Sequence, residues 1–213
     1  MEITKVLENV YKFNHSIPNV AINFNQYLVL GKQTLLAHTG NVIIAKNLIP
    51  ELKKLLGGKS LNYIFVSHFE SDECGGINLI TEAFPEAEVI CSNTTEMQFK
   101  GFGFSTKTLV KKPEEVLEVE DLTLKFIKYP SEMHLWEGIL AIDTSRNMLF
   151  SSDLFIHWDT IKEQEISSNI EAEINNVTLQ QVPSPEALEE IKTTLSALDI
   201  KYIACGHGPF ITL

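Results

Sequence analysis

Short apolar runs separated by polar turn residues dominate the chain, and helical stripes interrupt them in a few places. Strand-like runs fall at 20–24, 27–30 and 34–37. Residues 41–56 form a helical stripe that ends at Gly57-Gly58, a pair suited to a left-handed cap. The run 61–66, apolar except for Asn62, reads as a buried strand. A helix over 77–84 stopped by Pro85, a strand at 88–91 and a short helix over 94–100 behind the cap Ser92-Asn93 come next. Strands are expected at 122–129, 138–143 and 148–151, and helices over 160–179 and 185–198. The second of these helices has Ser184 as its cap and Pro185 in its first turn. A last strand at 201–204 runs into Cys205-Gly206-His207-Gly208-Pro209. This order predicts an α/β fold of two sheets covered by helices, with strand ends supplying a site.

A chain of 213 residues can bury a substantial core and is read as one domain over 1–213. No apolar run approaches membrane-spanning length, and Met1-Glu2-Ile3-Thr4-Lys5 has no secretory pattern, so a soluble cytoplasmic protein is expected. The net charge of −11 argues against binding nucleic acid through phosphates. Cys74, Cys91 and Cys205 are odd in number and lack C-x-x-C spacing, so they are expected to be reduced core residues.

The chemistry concentrates in Ser67-His68-Phe69-Glu70-Ser71-Asp72-Glu73-Cys74-Gly75-Gly76, between the strand at 61–66 and the helix at 77–84. His68, Glu70, Asp72 and Glu73 are costly to hold beside an apolar core unless something neutralises them, and a metal does so. Further metal-capable side chains follow other strands: His134 beyond Tyr129-Pro130, Asp153 after 148–151, and His207 after 201–204. A histidine inside an apolar strand would more often be a core residue; these all lie in loops past strand ends.

With these residues the chain resembles the metallo-β-lactamase superfamily, whose loop reads H-x-H-x-D-H. It resembles more closely the flavodiiron branch, whose loop reads H-x-E-x-D-H. His68, Glu70 and Asp72 match, then His134, then Asp153 after eighteen intervening residues, then His207. Asn25-Gln26-Tyr27-Leu28-Val29 and Met148-Leu149-Phe150-Ser151-Ser152-Asp153-Leu154-Phe155 are similar to the flanking family segments. The resemblance implies a four-layer αββα metallo-β-lactamase-like sandwich holding two Fe ions. It implies His68, Glu70 and His134 on one iron, Asp72 and His207 on the other, Asp153 bridging, and a homodimer. Glu73 departs from the pattern by standing where the family has a histidine, and is expected to ligate the second iron. Glu70 and Glu73 make the donor set harder and more anionic than a hydrolytic zinc site.

The chain ends soon after the last metal loop and has no Gly-rich phosphate loop, so a flavin domain of its own is not expected. The resemblance then implies a non-haem diiron protein that binds dioxygen as a sensor or carrier, as in stand-alone relatives linked to chemotaxis receptors. The alternative is a dioxygen or nitric oxide reductase fed by a separate electron-donor protein; a zinc hydrolase is less favoured. His38 is read either as hydrogen-bonding support for a ligand or as a turn residue. His157 is a candidate pocket wall, His15 reads as surface, and Tyr27 and Trp136 as packing aromatics.

Overall fold

The computed structural model describes residues 1–17, 19–131, 135, 138–158 and 162–213. The predicted positions His134 and Trp136 lie outside the described residues. Among the described residues, the first sheet takes β1 (Glu2–Leu7), β2 (Val10–Ser16), β3 (Asn23–Val29), β4 (Leu35–Ala37), β5 (Tyr63–Phe65), β6 (Glu88–Cys91) and β7 (Thr108–Val110), in that order. β1 to β4 pair antiparallel, and β4 to β7 pair parallel. The second sheet is built from β8 (Val116–Val119), β9 (Leu122–Tyr129), β10 (Gly138–Asp143), β11 (Met148–Ser152), β12 (Glu165–Ser167), β13 (Tyr202–Cys205) and β14 (Phe210–Thr212). Its order is β12-β14-β13-β11-β10-β9-β8, with β11 and β13 parallel.

The period-two alternation of the strands explains the layering, because both faces of each sheet are buried. Tyr27, Val29, Leu35, Ala37, Phe65 and Ile90 pack inward against Leu124, Phe126, Ile139, Ala141, Phe150, Ala204 and Phe210 of the second sheet. Leu28, Leu36, Ile64, Val66 and Val89 point the other way. They meet α1 (Val42–Leu56), α3 (Ile77–Ala83) and α4 (Asn93–Gly101), while α2 (Ser71–Cys74) is a single turn in the loop after β5. Ile127, Leu140, Ile142, Leu149 and Ile203 cover the second sheet's outer face beneath α5 (Ile170–Asn176) and α6 (Pro185–Ser196). The result is the four-layer αββα sandwich. The expected caps form: Gly57 is left-handed, Ser92 accepts from the Thr95 amide, and Ser184 accepts from the Ala187 amide; Asn41, expected inside the helix, instead caps it by accepting from the Ile43 and Ile44 amides.

Over its described part, 162–179, the helix expected over 160–179 does not form as one helix. Glu165–Ser167 instead pairs with β14 as an edge strand, and the helix is confined to Ile170–Asn176, capped by Asn169. The separate strands expected at 20–24 and 27–30 are one strand, β3. Asp72 and Glu73 lie on α2, a helical turn preceding the helix at 77–83. All three cysteines are buried and free.

Candidate metal centre

The loops after β5, β11 and β13 converge at one edge of the sandwich, where backbone hydrogen bonds stitch the two sheets together. Ile139 N donates to Ser67 O at 2.8 Å, and Asn25 N donates to Gly206 O at 2.8 Å. Ser152 has a left-handed backbone (φ 50°) beside a register shift between β11 and β13, and Asp153 follows this turn. The facing Gly206 leaves little room for a side chain: a Cβ there would lie 3.0 Å from Ser152 O and 3.4 Å from Asp153 Oδ1.

These loops bring together six of the seven predicted ligands, His68, Glu70, Asp72, Glu73, Asp153 and His207; His134 is the undescribed seventh. His68 Nε2 lies 3.0 Å from Glu70 Oε2 and 3.5 Å from Asp153 Oδ2. His207 Nε2 lies 3.1 Å from Asp153 Oδ1 and 3.4 Å from Asp72 Oδ2. Asp153 thus turns one oxygen to each histidine. Two groupings of ligand atoms lie within 4.8 Å of one another: His68, Glu70 and Glu73, and Asp72, Glu73 and His207. Glu73 is 2% exposed, and its Oε2 has no hydrogen-bond partner.

Supporting hydrogen bonds set which imidazole nitrogen faces the pocket. His207 Nδ1 donates to the Asn23 carbonyl at 2.6 Å, which leaves Nε2 to the carboxylates. The Phe24 ring packs edge-on against His207, with centroids 5.4 Å apart. His68 Nδ1 is 3.1 Å from Ser67 Oγ, which also contacts Ser152 Oγ at 2.8 Å and His38 Nε2 at 3.0 Å. His38 is therefore buried and linked through Ser67 to the candidate ligand His68; burial pushes its pKa down to about 4, so its ring is neutral.

The electrostatics match a cation site. Burial opposes protonation of His207, yet its bonds to Asp153 and Asp72 prevail and raise its pKa to about 10. Burial likewise opposes the charge on His68, and Glu70 with Asp153 overcomes it. Glu73 is pushed well above the usual carboxylate range by burial and then by Asp153, Asp72 and Glu70. A field that favours imidazolium and penalises a fourth carboxylate charge favours any cation placed among these groups. The orphaned, buried Glu73 oxygen and the mixed carboxylate–imidazole donors fit a hard, oxygen-seeking metal pair.

A cavity of about 430 Å³ leads to the cluster, floored by Glu70, Asp72, Asp153 and His207 and walled by Ile22, Phe24, Ile156, Trp158 and Gln181. Gln181 Oε1 accepts from Thr178 N and Oγ1, both at 2.9 Å. His157 turns from the pocket to pair with buried Glu173 at 2.7 Å. His15 is buried rather than surface, and Tyr27 donates to Cys205 O at 3.0 Å. Sequence reasoning missed Ser67, Asn23 and Ser152, although Ser67 and Ser152 adjoin ligands in the quoted motifs. It also missed Lys12, whose buried Nζ donates to Gly208 O at 2.9 Å and Gln164 O at 3.0 Å beside the His207 loop.

The family model described as ODP family beta lactamase matches residues 22–208. The chain belongs to this family. The ODP-family chain is 23% identical over 234 residues to the flavo-diiron protein FprA2 of Clostridium acetobutylicum, covering all of this chain and 58% of that protein. It is 27% identical over 136 residues to a nitric oxide reductase of Moorella thermoacetica, covering 62% of this chain and 33% of that one. The fold matches the rubredoxin oxygen:oxidoreductase of Desulfovibrio gigas with a TM-score of 0.80 at 18% identity, over 99% of this chain and 57% of that chain. The chain spans between a third and somewhat more than half the length of the curated relatives it matches. Its relatives are flavodiiron proteins, and its fold is the metallo-β-lactamase-like core that they share. Among the described residues, no helix is long and apolar enough to cross a membrane.

Proposed function

We propose that this chain is a non-haem diiron protein that takes dioxygen or nitric oxide into the 430 Å³ cavity and reduces it with electrons from a separate donor. The observation that carries the reading is the convergence of four carboxylates and two Nε2 atoms on one buried pocket. His68 and Glu70, with His134, would hold one iron; Asp72, Glu73 and His207 would hold the other; Asp153 would span them. Iron held there supplies redox chemistry toward a small gas. The chain's own residues do the rest. Ser67 and the Asn23 carbonyl orient the two imidazoles, and Ile22, Phe24, Ile156 and Trp158 narrow the approach with apolar surface. Glu70 and Glu73 make the donor set harder and more anionic than that of a hydrolytic zinc site, which disfavours a zinc hydrolase.

Relatives named as a nitric oxide reductase and a rubredoxin oxygen:oxidoreductase favour the reductase over a dioxygen sensor or carrier. Glu73 favours the second reading, in which dioxygen is bound without turnover and reported to a signalling partner, as in chemotaxis. An extra carboxylate in place of an imidazole stabilises the oxidised metal pair and slows its return. A cytoplasmic homodimer belongs to the same proposal.

The test uses protein loaded with ferrous iron under anaerobic conditions and a reduced rubredoxin or flavin supply. Consumption of dioxygen or nitric oxide far beyond the iron present supports the reductase. A single stoichiometric uptake of dioxygen supports the binding reading. Iron-loaded protein that takes up neither gas overturns both.

A further inference from the structure

Glu73 belongs to both groupings of ligand atoms in the pocket, with His68 and Glu70 on one side and with Asp72 and His207 on the other. Asp153 is the other side chain that faces both histidines, through opposite oxygens. The two residues enter from different sheets: Asp153 follows β11, and Glu73 sits on α2 beyond β5. We infer that Glu73 is a second bridging carboxylate, shared by both metal ions, and not a ligand of one ion only. The inference rests on the reading of this pocket as a dimetal site.

Three observations carry it. Glu73 is buried to 2% exposure, so water does not solvate its carboxylate. Its Oε2 is buried without any hydrogen-bond partner, an arrangement that is costly unless a ligand meets it. The Glu73 backbone is pinned, because its carbonyl accepts from Thr39 N at 2.8 Å, so the side chain cannot swing out with the loop. A carboxylate has two oxygens on one edge and can span ions about 3.5–4 Å apart. An imidazole presents one nitrogen per edge and cannot do so. A chain with a carboxylate at this place therefore gains a bridge that a histidine there would not provide. Four carboxylates also balance two divalent ions, which leaves no net charge buried among Glu70, Asp72, Glu73 and Asp153.

The test is metal titration with Mn(II) alone, read by calorimetry and by electron paramagnetic resonance, on the parent chain, Glu73→Gln, Glu73→His and Glu73→Ala. The parent is expected to bind two Mn(II) with a spin-coupled signal. Glu73→Ala should weaken both binding steps by about tenfold or more. Glu73→His should keep two ions but reduce their coupling. Isosteric Glu73→Gln, whose metal-free fold is checked by circular dichroism, should resemble Glu73→Ala. If the parent binds no pair of ions, the dimetal reading fails. If the parent binds two and Glu73→Gln weakens one step while leaving the other and the coupling unchanged, only the bridge is overturned.

Discussion

Replacing Lys12 by Met should erase a rise in stability between about pH 8 and pH 10.5. Lys12 lies on β2 with no exposed surface, and its ammonium donates to the carbonyls of Gln164 and Gly208. Burial lowers its pKa from 10.5 to about 8, partly offset by Cys205, Glu165 and Glu2. That fall corresponds to about 3 kcal/mol. Below pH 8 both folded and unfolded chains hold the proton, and the folded state bears the full cost. Between pH 8 and 10.5 the folded amine has lost its proton while the unfolded one keeps it. The unfolded state then binds more protons, so stability climbs with pH until the cost is gone. The assay is urea unfolding of the metal-free parent and of Lys12→Met at steps from pH 7 to pH 10.5. The buried cysteines, pushed up to about 12 by burial, contribute an opposing slope. That slope is common to both proteins and cancels in their difference. The parent should gain about 3 kcal/mol on the variant across the range. A difference flat with pH would refute a buried ammonium at this place.

Asp153→Ala should lose both iron ions, since each oxygen of Asp153 faces a different histidine; metal analysis showing two irons retained would defeat the shared role. Ser67→Ala removes the hydroxyl that links His38, His68 and Ser152, and should weaken the first metal position about 10- to 100-fold in a Mn(II) titration. His157→Ala strands the buried Glu173 carboxylate and should cost about 3 kcal/mol near pH 5.5 by urea unfolding. The pair raises the His157 pKa from 6.5 and lowers that of Glu173 from 4.5, so its contribution is complete between those two ordinary values. It fades as pH rises through the folded His157 value and as pH falls through the folded Glu173 value; an effect that kept growing above pH 6.5 would contradict the pairing.

The strands at 88–91, 122–129 and 138–143 were legible residue for residue: 88–91 and 138–143 are apolar runs that are mostly or wholly buried, and 122–129 alternates buried Leu122, Leu124 and Phe126 with half-buried Thr123 and Lys125. β1 and β2 were not. Val10–Ser16 contains Lys12, Asn14 and His15, which read as polar loop, yet all three are buried. Asn14 donates to Asn25, and Lys12 bonds two distant carbonyls, so a tertiary polar network replaces apolar packing. The false helix at 160–179 came from a segment whose edge strand has three residues, too short for any periodicity to register. The candidate ligands were visible because ionisable groups past strand ends are conspicuous. Their supports were not: Ser67 meets Ser152 across 85 positions, a contact that no local pattern encodes.

The Glu73-Cys74-Gly75-Gly76 stretch shows why the site is stiff enough to hold charge. Its glycines do more than punctuate a turn. A Cβ on Gly75 would strike Ser71 O and crowd the Asn41 Cα, and one on Gly76 would strike Ala45. Their absence lets α2 press against the start of α1, where Gly76 N donates to Gly40 O and Thr39 N donates to Glu73 O, both at 2.8 Å. His68, Glu70, Asp72 and Glu73 are thereby fixed to the first sheet. Asp153 and His207 are fixed to the second through the paired ends of β11 and β13. The carboxylates of the two sheets face each other across a gap where, among the described residues, His68 and His207 are the groups that offset their charge, since Lys12 reaches backbone carbonyls behind the His207 loop and not the carboxylates. Like charges at such distances repel strongly in a buried site. A divalent pair held in the gap would offset that repulsion and add to the backbone links, Ile139 to Ser67 and Asn25 to Gly206, that join the sheets at this edge. Metal affinity and cohesion of the two sheets therefore draw on the same side chains, with Asp153 reaching in from one sheet and Glu73 from the other.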